Sequence, residues 1–183
     1  MDEKKIEQSF REILAAIGEN PERDGLKKTP ERMALSYMEY FSGLGKDPKE
    51  PMRDTIKSDI DDIIIEKDID FYSMCEHHLI PFFGKIDIAY IPNGKIIGFG
   101  NIIKTFEILA SRPQLQERLG DEFANVLMET LKPKGLYIRI TAKHLCMTMR
   151  GVKKENSKIV TTVSRGIFKE DSSRRIEVLS LLG

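Results

Sequence analysis

The stretch Ile86-Asp87-Ile88-Ala89-Tyr90-Ile91-Pro92-Asn93-Gly94-Lys95 decides the fold. Ile86, Ile88 and Tyr90 alternate with Asp87 and Ala89, the period of two of a half-buried strand rather than the 3.6 of a helix. Pro92-Asn93-Gly94-Lys95 is a turn signal and predicts a hairpin. Upstream, Ile63-Ile64-Ile65 reads as a buried strand. Downstream, Pro133-Lys134-Gly135 turns the chain into a strand that puts Leu136, Ile138, Ile140 and Ala142 on one face. Lys158 to Gly166, rich in Val and Thr, predicts a further strand.

Helical spacing surrounds these strands. Ile6, Phe10, Ile13, Leu14 and Ile17 recur every three or four residues over 2–17, and Gly18 can end that helix. Thr29 reads as an N-cap with Pro30 at the first helical position, opening a helix that carries Met33, Tyr37, Tyr40 and Phe41. Residues 45–60, with Pro48 and Pro51, read as a loop. Two helices are predicted at about 101–111 and 114–131, separated by Arg112-Pro113, and a short one near 173–182. Helices, strands, two helices, strands and a last helix make an α+β chain with an antiparallel sheet.

Composition narrows the class. The chain has 183 residues, 40% of them hydrophobic, and 29 Lys+Arg balance 29 Asp+Glu. That length suggests one domain. A net charge of zero argues against a dedicated nucleic-acid binder, and no apolar run is long enough to span a membrane. Met1-Asp2-Glu3-Lys4-Lys5 lacks the apolar stretch of an export signal, so a cytoplasmic location is expected. Charge is nevertheless uneven. Residues 54–70 carry seven acids and two bases, whereas 143–175 carry nine bases and three acids. The second segment is either a solvated face or a positive field suited to an anionic substrate. No Gly-rich phosphate fingerprint follows a strand, which sets aside Rossmann and P-loop chemistry.

The two cysteines and three histidines all fall in Cys75-Glu76-His77-His78 and His144-Leu145-Cys146. Cys75 and His78, three apart, can bind one ion from a tight turn or helix start. His144 and Cys146, two apart at a strand end, are expected to share a face. Two thiolates and an imidazole suit Zn²⁺, and three protein ligands leave a fourth position for water, whose pKa such an ion lowers from 15.7 to about 7. His77 and His144 are then candidate proton carriers. Two other readings remain open on residue type alone: a structural zinc completed by His77, His144 or Glu76, and a thiol nucleophile with a His base. A zinc deaminase would need His-x-Glu and Pro-Cys-x-x-Cys, and neither is present.

Ser73-Met74-Cys75-Glu76-His77-His78, running on into Leu79-Ile80-Pro81-Phe82-Phe83-Gly84, resembles the signature of the GTP cyclohydrolase I family. Arg112-Pro113-Gln114-Leu115-Gln116-Glu117-Arg118-Leu119 and His144-Leu145-Cys146-Met147-Thr148-Met149-Arg150-Gly151 resemble it too. So do Asp24-Gly25-Leu26, Thr29-Pro30-Glu31-Arg32 and Ser42-Gly43-Leu44, so the likeness runs along nearly the whole chain in order. The resemblance implies hydrolysis of GTP to formate and 7,8-dihydroneopterin triphosphate. It implies the tunnelling fold, an antiparallel sheet with two helices on one face, here over 56–183 behind an N-terminal helical extension over 1–55. It implies a homodecamer of two stacked pentameric rings with active sites between subunits. It implies Zn²⁺ on Cys75, His78 and Cys146, with His77 and His144 as the acid/base pair. Gln116 and Glu117 would hold the guanine, and Arg150, Arg32 and Lys104 the triphosphate. A non-enzymatic relative of the same fold with a structural zinc is the competing reading.

One segment departs from the family. Where the family usually reads Gly-Leu-Ser-Lys-Leu with an Arg three residues beyond the Lys, this chain has Gly98-Phe99-Gly100-Asn101-Ile102-Ile103-Lys104. Gly100 stands at the Ser position, Asn101 at the Lys position and Lys104 at the Arg position. One cation is lost, and a Lys cannot reproduce the bidentate fork of an Arg. A weaker grip on the triphosphate is expected, or a preference for a guanine nucleotide with fewer phosphates or for a related purine, with Lys143, Lys153 and Arg165 as the cations available to compensate.

Overall fold

The computed structural model describes residues 1–183. Its centre is a five-stranded sheet in the order β5-β2-β3-β6-β7, formed by β2 (Ile64–Cys75), β3 (Pro81–Ile91), β5 (Pro113–Gln114), β6 (Gly135–His144) and β7 (Ile159–Gly166). All neighbours are antiparallel except the short β5, which runs parallel to the end of β2. Helices α3 (Phe99–Ala110) and α4 (Gln116–Thr130) cover one face. The α+β class, the antiparallel sheet and the paired helices are as the sequence predicts.

Periodicity explains the core. Ile86, Ile88 and Tyr90 of β3 and Leu136, Ile138, Ile140 and Ala142 of β6 all face α3 and α4. There they meet Ile102, Phe106, Leu119, Phe123 and Leu127. Phe123 is wholly buried, and truncating such a side chain costs about 3–5 kcal/mol. The opposite face is not simply solvent, which the alternation alone suggests. Ala89, Ile91 and Tyr137 are covered there by Phe168 of α6 (Ile167–Glu170) and by Val178 and Leu182 of α7 (Ser172–Leu182). Asp87 is buried on that face because it accepts from the Asp68 backbone N–H (2.9 Å) and from Arg139 Nε (2.8 Å). Gly84 is required where β3 meets β6: a Cβ there would sit 1.9 Å from the Thr141 carbonyl oxygen.

Four expectations need correction. The turn at Asn93-Gly94 (Gly94 φ +77°) reverses the chain, but no hairpin forms. Strand β4 (Lys95–Ile97) leaves β3 and pairs with β1 (Thr55–Lys57), drawn from the segment read as loop, which also holds a 3₁₀ turn at Glu50–Met52. Thr29 is not the N-cap of α2 (Thr29–Tyr40): Lys28 is, and the Thr29 hydroxyl turns back to the Gly25 carbonyl. Finally, the chain turns helical straight after His144, so Cys146 lies in α5 (Leu145–Thr148) and the shared-face argument for His144 and Cys146 does not apply.

The N-terminal α1 (Glu3–Ala16) packs on α2, with Phe10 edge-on to Tyr37 at 5.0 Å. This pair is tied to the body by Gly43, whose N–H donates to Ser111 O (3.0 Å) and whose carbonyl accepts from Arg112 Nε (3.1 Å). Any Cβ at Gly43 would lie 2.0 Å from Ile108 O. No helix is long and apolar enough to cross a membrane.

Candidate metal centre and its surroundings

The two chemistry-bearing segments meet because β3 is the strand between β2 and β6. On one side, Met74 pairs with Pro81, closing a tight turn after Cys75. On the other, Phe82 pairs with His144, which brings the end of β6 beside that turn. Backbone bonds pin the turn itself. Cys75 N–H donates to Ile80 O (3.0 Å), Leu79 N–H to Cys75 O (2.8 Å) and Glu76 N–H to Gln114 O (3.0 Å). Leu79 takes a left-handed φ of +50° to make the reversal.

The ligand atoms of Cys75, His78 and Cys146 lie within 4.8 Å of one another. Cys75 is buried, Cys146 half-buried and His78 exposed. Two soft sulfurs and one imidazole converging from separate segments are a donor set that fits Zn²⁺. Burial, and then the adjacent Cys75 thiol, push the Cys146 thiol up, while Arg150 pulls it down. Thiolate is the form that ligates, so a divalent cation held by these residues would reverse that balance. The cluster comprises three groups and not four. Glu76, which lies between Cys75 and His77 in the chain, is paired with Arg118.

His144 stands beside the cluster and is firmly held. Its ring stacks on Phe82 at 4.6 Å and 8°. Its Nε2 lies 2.8 Å from Gln116 Oε1. The tautomer follows from Gln116. That residue is 1% exposed, and its Nε2 donates to the carbonyls of Ile140 (3.0 Å) and Ile159 (3.1 Å) and to Thr161 Oγ1 (3.1 Å). Carbonyls cannot donate, so the amide nitrogen must face them and its oxygen must face His144. The neutral imidazole therefore carries its hydrogen on Nε2 and leaves Nδ1 as the free base. Burial lowers the pKa of His144, and the charge of Glu117 raises it in part.

The remaining candidates divide. Glu117 is exposed on the first turn of α4 and lines an open groove of about 350 Å³ with Asp121 and the Thr161–Arg165 stretch of β7. Arg150 is exposed just past α5 and close enough to act on Cys146. His77 is exposed on the turn, its ring centroid 6.1 Å from that of His78. Gln116 differs from expectation: its side-chain amide is committed to the sheet and to His144, so only Glu117 of that pair faces the groove. Lys104 lines a different cavity, about 650 Å³, with Glu39, Asp70, Tyr72 and Glu107. Arg32 is exposed on α2 and makes no ion pair. Arg165 is paired with Asp121. The sequence reading assigned no role to Phe82, Thr161 or Arg118. Phe82 and Arg118 lie inside quoted motifs, but nothing in residue type marks the contacts they make.

The family model described as GTP cyclohydrolase I matches residues 6–183. A protein of Fusobacterium nucleatum named GTP cyclohydrolase 1 is 53% identical over 182 residues, covering 100% of this chain and 97% of that one. Proteins of the same name are 50% identical in Streptococcus agalactiae (99% of this chain, 97% of that one) and 51% identical in Clostridium kluyveri (100% and 98%). Among solved structures, the apo form of the archaeosine synthase QueF-Like superposes with a TM-score of 0.45 at 14% identity, over 57% of this chain and 93% of that one.

Proposed function

The chain belongs to the GTP cyclohydrolase I family, an enzyme family, and from that premise we propose that it opens the imidazole ring of GTP hydrolytically, giving formate and 7,8-dihydroneopterin triphosphate. The observation that carries this reading is the convergence of Cys75, His78 and Cys146 within 4.8 Å, beside a His144 locked by Gln116 and Phe82. Cys75, His78 and Cys146 would hold Zn²⁺. When bound, the ion supplies the Lewis acidity that makes water nucleophilic at neutral pH.

The chain's own residues do the rest. The Glu117 carboxylate accepts from N1–H and the N2 amine of guanine, a donor pair that adenine does not offer. His144 keeps its Nε2 hydrogen on Gln116 and uses Nδ1 to take up and return the proton exchanged with the purine ring. His77, exposed on the neighbouring turn, is a second proton carrier. Arg150 meets the phosphates with its planar fork.

Lys104 lines a cavity that includes none of Cys75, His78 and Cys146, which supports a site shared between subunits. Two surfaces support assembly. The outer edge of β7 has no partner strand and carries an exposed Val160, and open sheet edges are normally covered. Ile13, Ile17 and Leu35 on the N-terminal helices are also exposed. We read residues 1–55 as an assembly element on a 56–183 catalytic domain, in a homodecamer of two stacked pentamers. The enzyme would act in the cytoplasm, where both thiols stay reduced.

The α3 N-terminus favours a weaker phosphate grip as a second reading. A Cβ at Gly100 would meet nothing within 4 Å, so packing does not demand glycine where the family carries a hydroxyl. A product assay across GTP, GDP and GMP tests both readings. Formate release with a new pteridine absorbance is expected, and zinc-loaded protein that leaves all three nucleotides unchanged would sink the proposal. Cys146→Ala and His78→Ala should lose metal and turnover together, and His144→Ala should keep the metal and lose turnover. Loss of zinc from His144→Ala alone would overturn the ligand assignment.

A further inference from the structure

Resting on the zinc reading above, we propose that Arg118 is a positioning residue that braces the Cys75–His78 turn against the first turn of α4. It would thereby set the distance between the metal ligands and the base-reading Glu117. Its guanidinium makes contacts in three directions. Nη2 donates to the Glu76 carboxylate and to Pro113 O (2.9 Å), and Nε donates to Gln114 Oε1 (3.0 Å). Glu122 Oε1 lies 3.8 Å from the same Nε.

The anchor beneath it is rigid. Gln114 is 1% exposed, and its Nε2 donates to Leu109 O (3.2 Å) and to Glu122 Oε2 (3.0 Å). With the nitrogen so engaged, the amide can only present its oxygen to Arg118. The Gln114 carbonyl in turn accepts from the Glu76 N–H (3.0 Å). One buried glutamine and one arginine thus clamp the residue that sits between Cys75 and the two histidines. Arg118 follows Glu117 directly, so the group that holds the metal turn is rooted next to the one facing the base. Outside this clamp the turn is open: His77, His78 and Leu79 are all exposed. Lysine carries the charge but cannot reach two acceptors and a carboxylate at fixed angles. In this arrangement Glu76 acts through Arg118 and is not itself a ligand.

The test compares the full-length protein with Arg118→Ala, Arg118→Lys and Glu76→Gln. Zn²⁺ affinity is read by competition with a chromophoric chelator, and coordination by the absorption spectrum of Co²⁺-loaded protein. Arg118→Ala should weaken Zn²⁺ binding about tenfold, in the range seen when outer partners of metal ligands are removed. It should also alter the Co²⁺ spectrum and raise KM for GTP in zinc-saturated protein. Arg118→Lys and Glu76→Gln, milder changes that keep the fold if alanine does not, should fall between it and the parent. Unchanged Zn²⁺ affinity and Co²⁺ spectrum in all three variants overturn the brace while leaving the zinc reading intact. Tighter Zn²⁺ binding by Arg118→Ala also overturns it, since Glu76 would then be a ligand that Arg118 restrains. A parent protein that binds no Zn²⁺ overturns both readings.

Discussion

Replacing Gln116 by Met separates holding His144, the proposed proton carrier, from reading the base. Methionine is close in length to glutamine, so the buried site is not hollowed out. What is lost is one 2.8 Å contact to His144 and three donor contacts, at 3.0, 3.1 and 3.1 Å, to Ile140, Ile159 and Thr161. The carbonyls keep a second lone pair, and the Thr161 hydroxyl can rotate. The His144 Nε2–H is left facing a thioether, and a half-buried orphaned donor costs about 1–3 kcal/mol. Adding the net value of the other bonds, destabilisation should come to about 2–4 kcal/mol. The effect on turnover should be larger than that on binding. His144 would keep its stacking on Phe82 but lose the contact that fixes its tautomer and tilt. General acid–base catalysis contributes about 10²–10⁴-fold, and a misdirected ring forfeits part of it. We expect kcat to fall about 10–100-fold while KM for GTP stays within about threefold, with zinc content unchanged. Initial rates of pteridine absorbance against GTP concentration give both constants. Combining Gln116→Met with His144→Ala should cost no more in kcat than His144→Ala alone, because both act on one ring. A tenfold rise in KM with kcat intact would refute the reasoning and return Gln116 to the guanine.

Three further expectations follow from buried charge and close packing. Glu66 lies on the core side of β2 with its Oε2 unpartnered, and burial raises its pKa above the ordinary 4.5. The folded chain therefore holds a proton that the unfolded chain gives up, and stability falls as pH rises from about 4.5 through the folded value. Glu66→Gln should raise Tm at pH 7 and lose that advantage near pH 4; a lower Tm at pH 7 would contradict this. Arg139 pairs with buried Asp87 and also donates to the carbonyls of Leu182 and Gly183, fastening the end of α7 to the sheet. Arg139→Met should cost about 3–5 kcal/mol in urea unfolding, with Asp87→Asn recovering part of it in the double variant, and a loss under about 1 kcal/mol would show that the pair is not buried as described. Gly84→Ala should prevent β3 from reaching β6 and so deplete zinc as well as stability, since that ladder brings His144 and Cys146 to the turn; metal content by elemental analysis of the soluble fraction measures it.

What could be read ahead of the structure was whatever is written locally. The period-two faces of β3 and β6 state their own burial, because alternate side chains of a strand must leave on opposite sides. The five Cys and His residues state their chemistry by type. Pairing between distant segments was hidden. Asn93-Gly94 announces a reversal but cannot say that β4 goes to β1, since that choice depends on a three-residue strand forty positions earlier. The turn at Leu145–Thr148 is too short to have a period, so spacing could place Cys146 only by a strand geometry that fails at His144, and the likeness of the His144–Gly151 stretch to the family carried the assignment. The second tier of the site was equally silent. Gln116 and Gln114 look alike in sequence, and each is defined by which carbonyls happen to lie against its amide nitrogen.

Those two glutamines explain how a site with exposed parts keeps its geometry. His77, His78, Glu117 and Arg150 are all open to solvent, and exposed side chains rarely hold one rotamer unaided. Each half of the site is instead indexed to a buried amide whose orientation is dictated by backbone carbonyls: Gln116 for His144, Gln114 for Arg118 and through it the metal turn. Both amides belong to β5 and the start of α4, within three residues of each other. Under the proposed function the Arg112–Leu119 segment is a common reference for proton transfer, base reading and metal binding, although none of the proposed metal ligands lies in it. A substitution at Gln116 should accordingly be felt in proton transfer and one at Gln114 at the Cys75–His78 turn, whereas a change at exposed Glu117 should be felt first in nucleotide binding and, through its charge on His144, in the pH dependence of turnover.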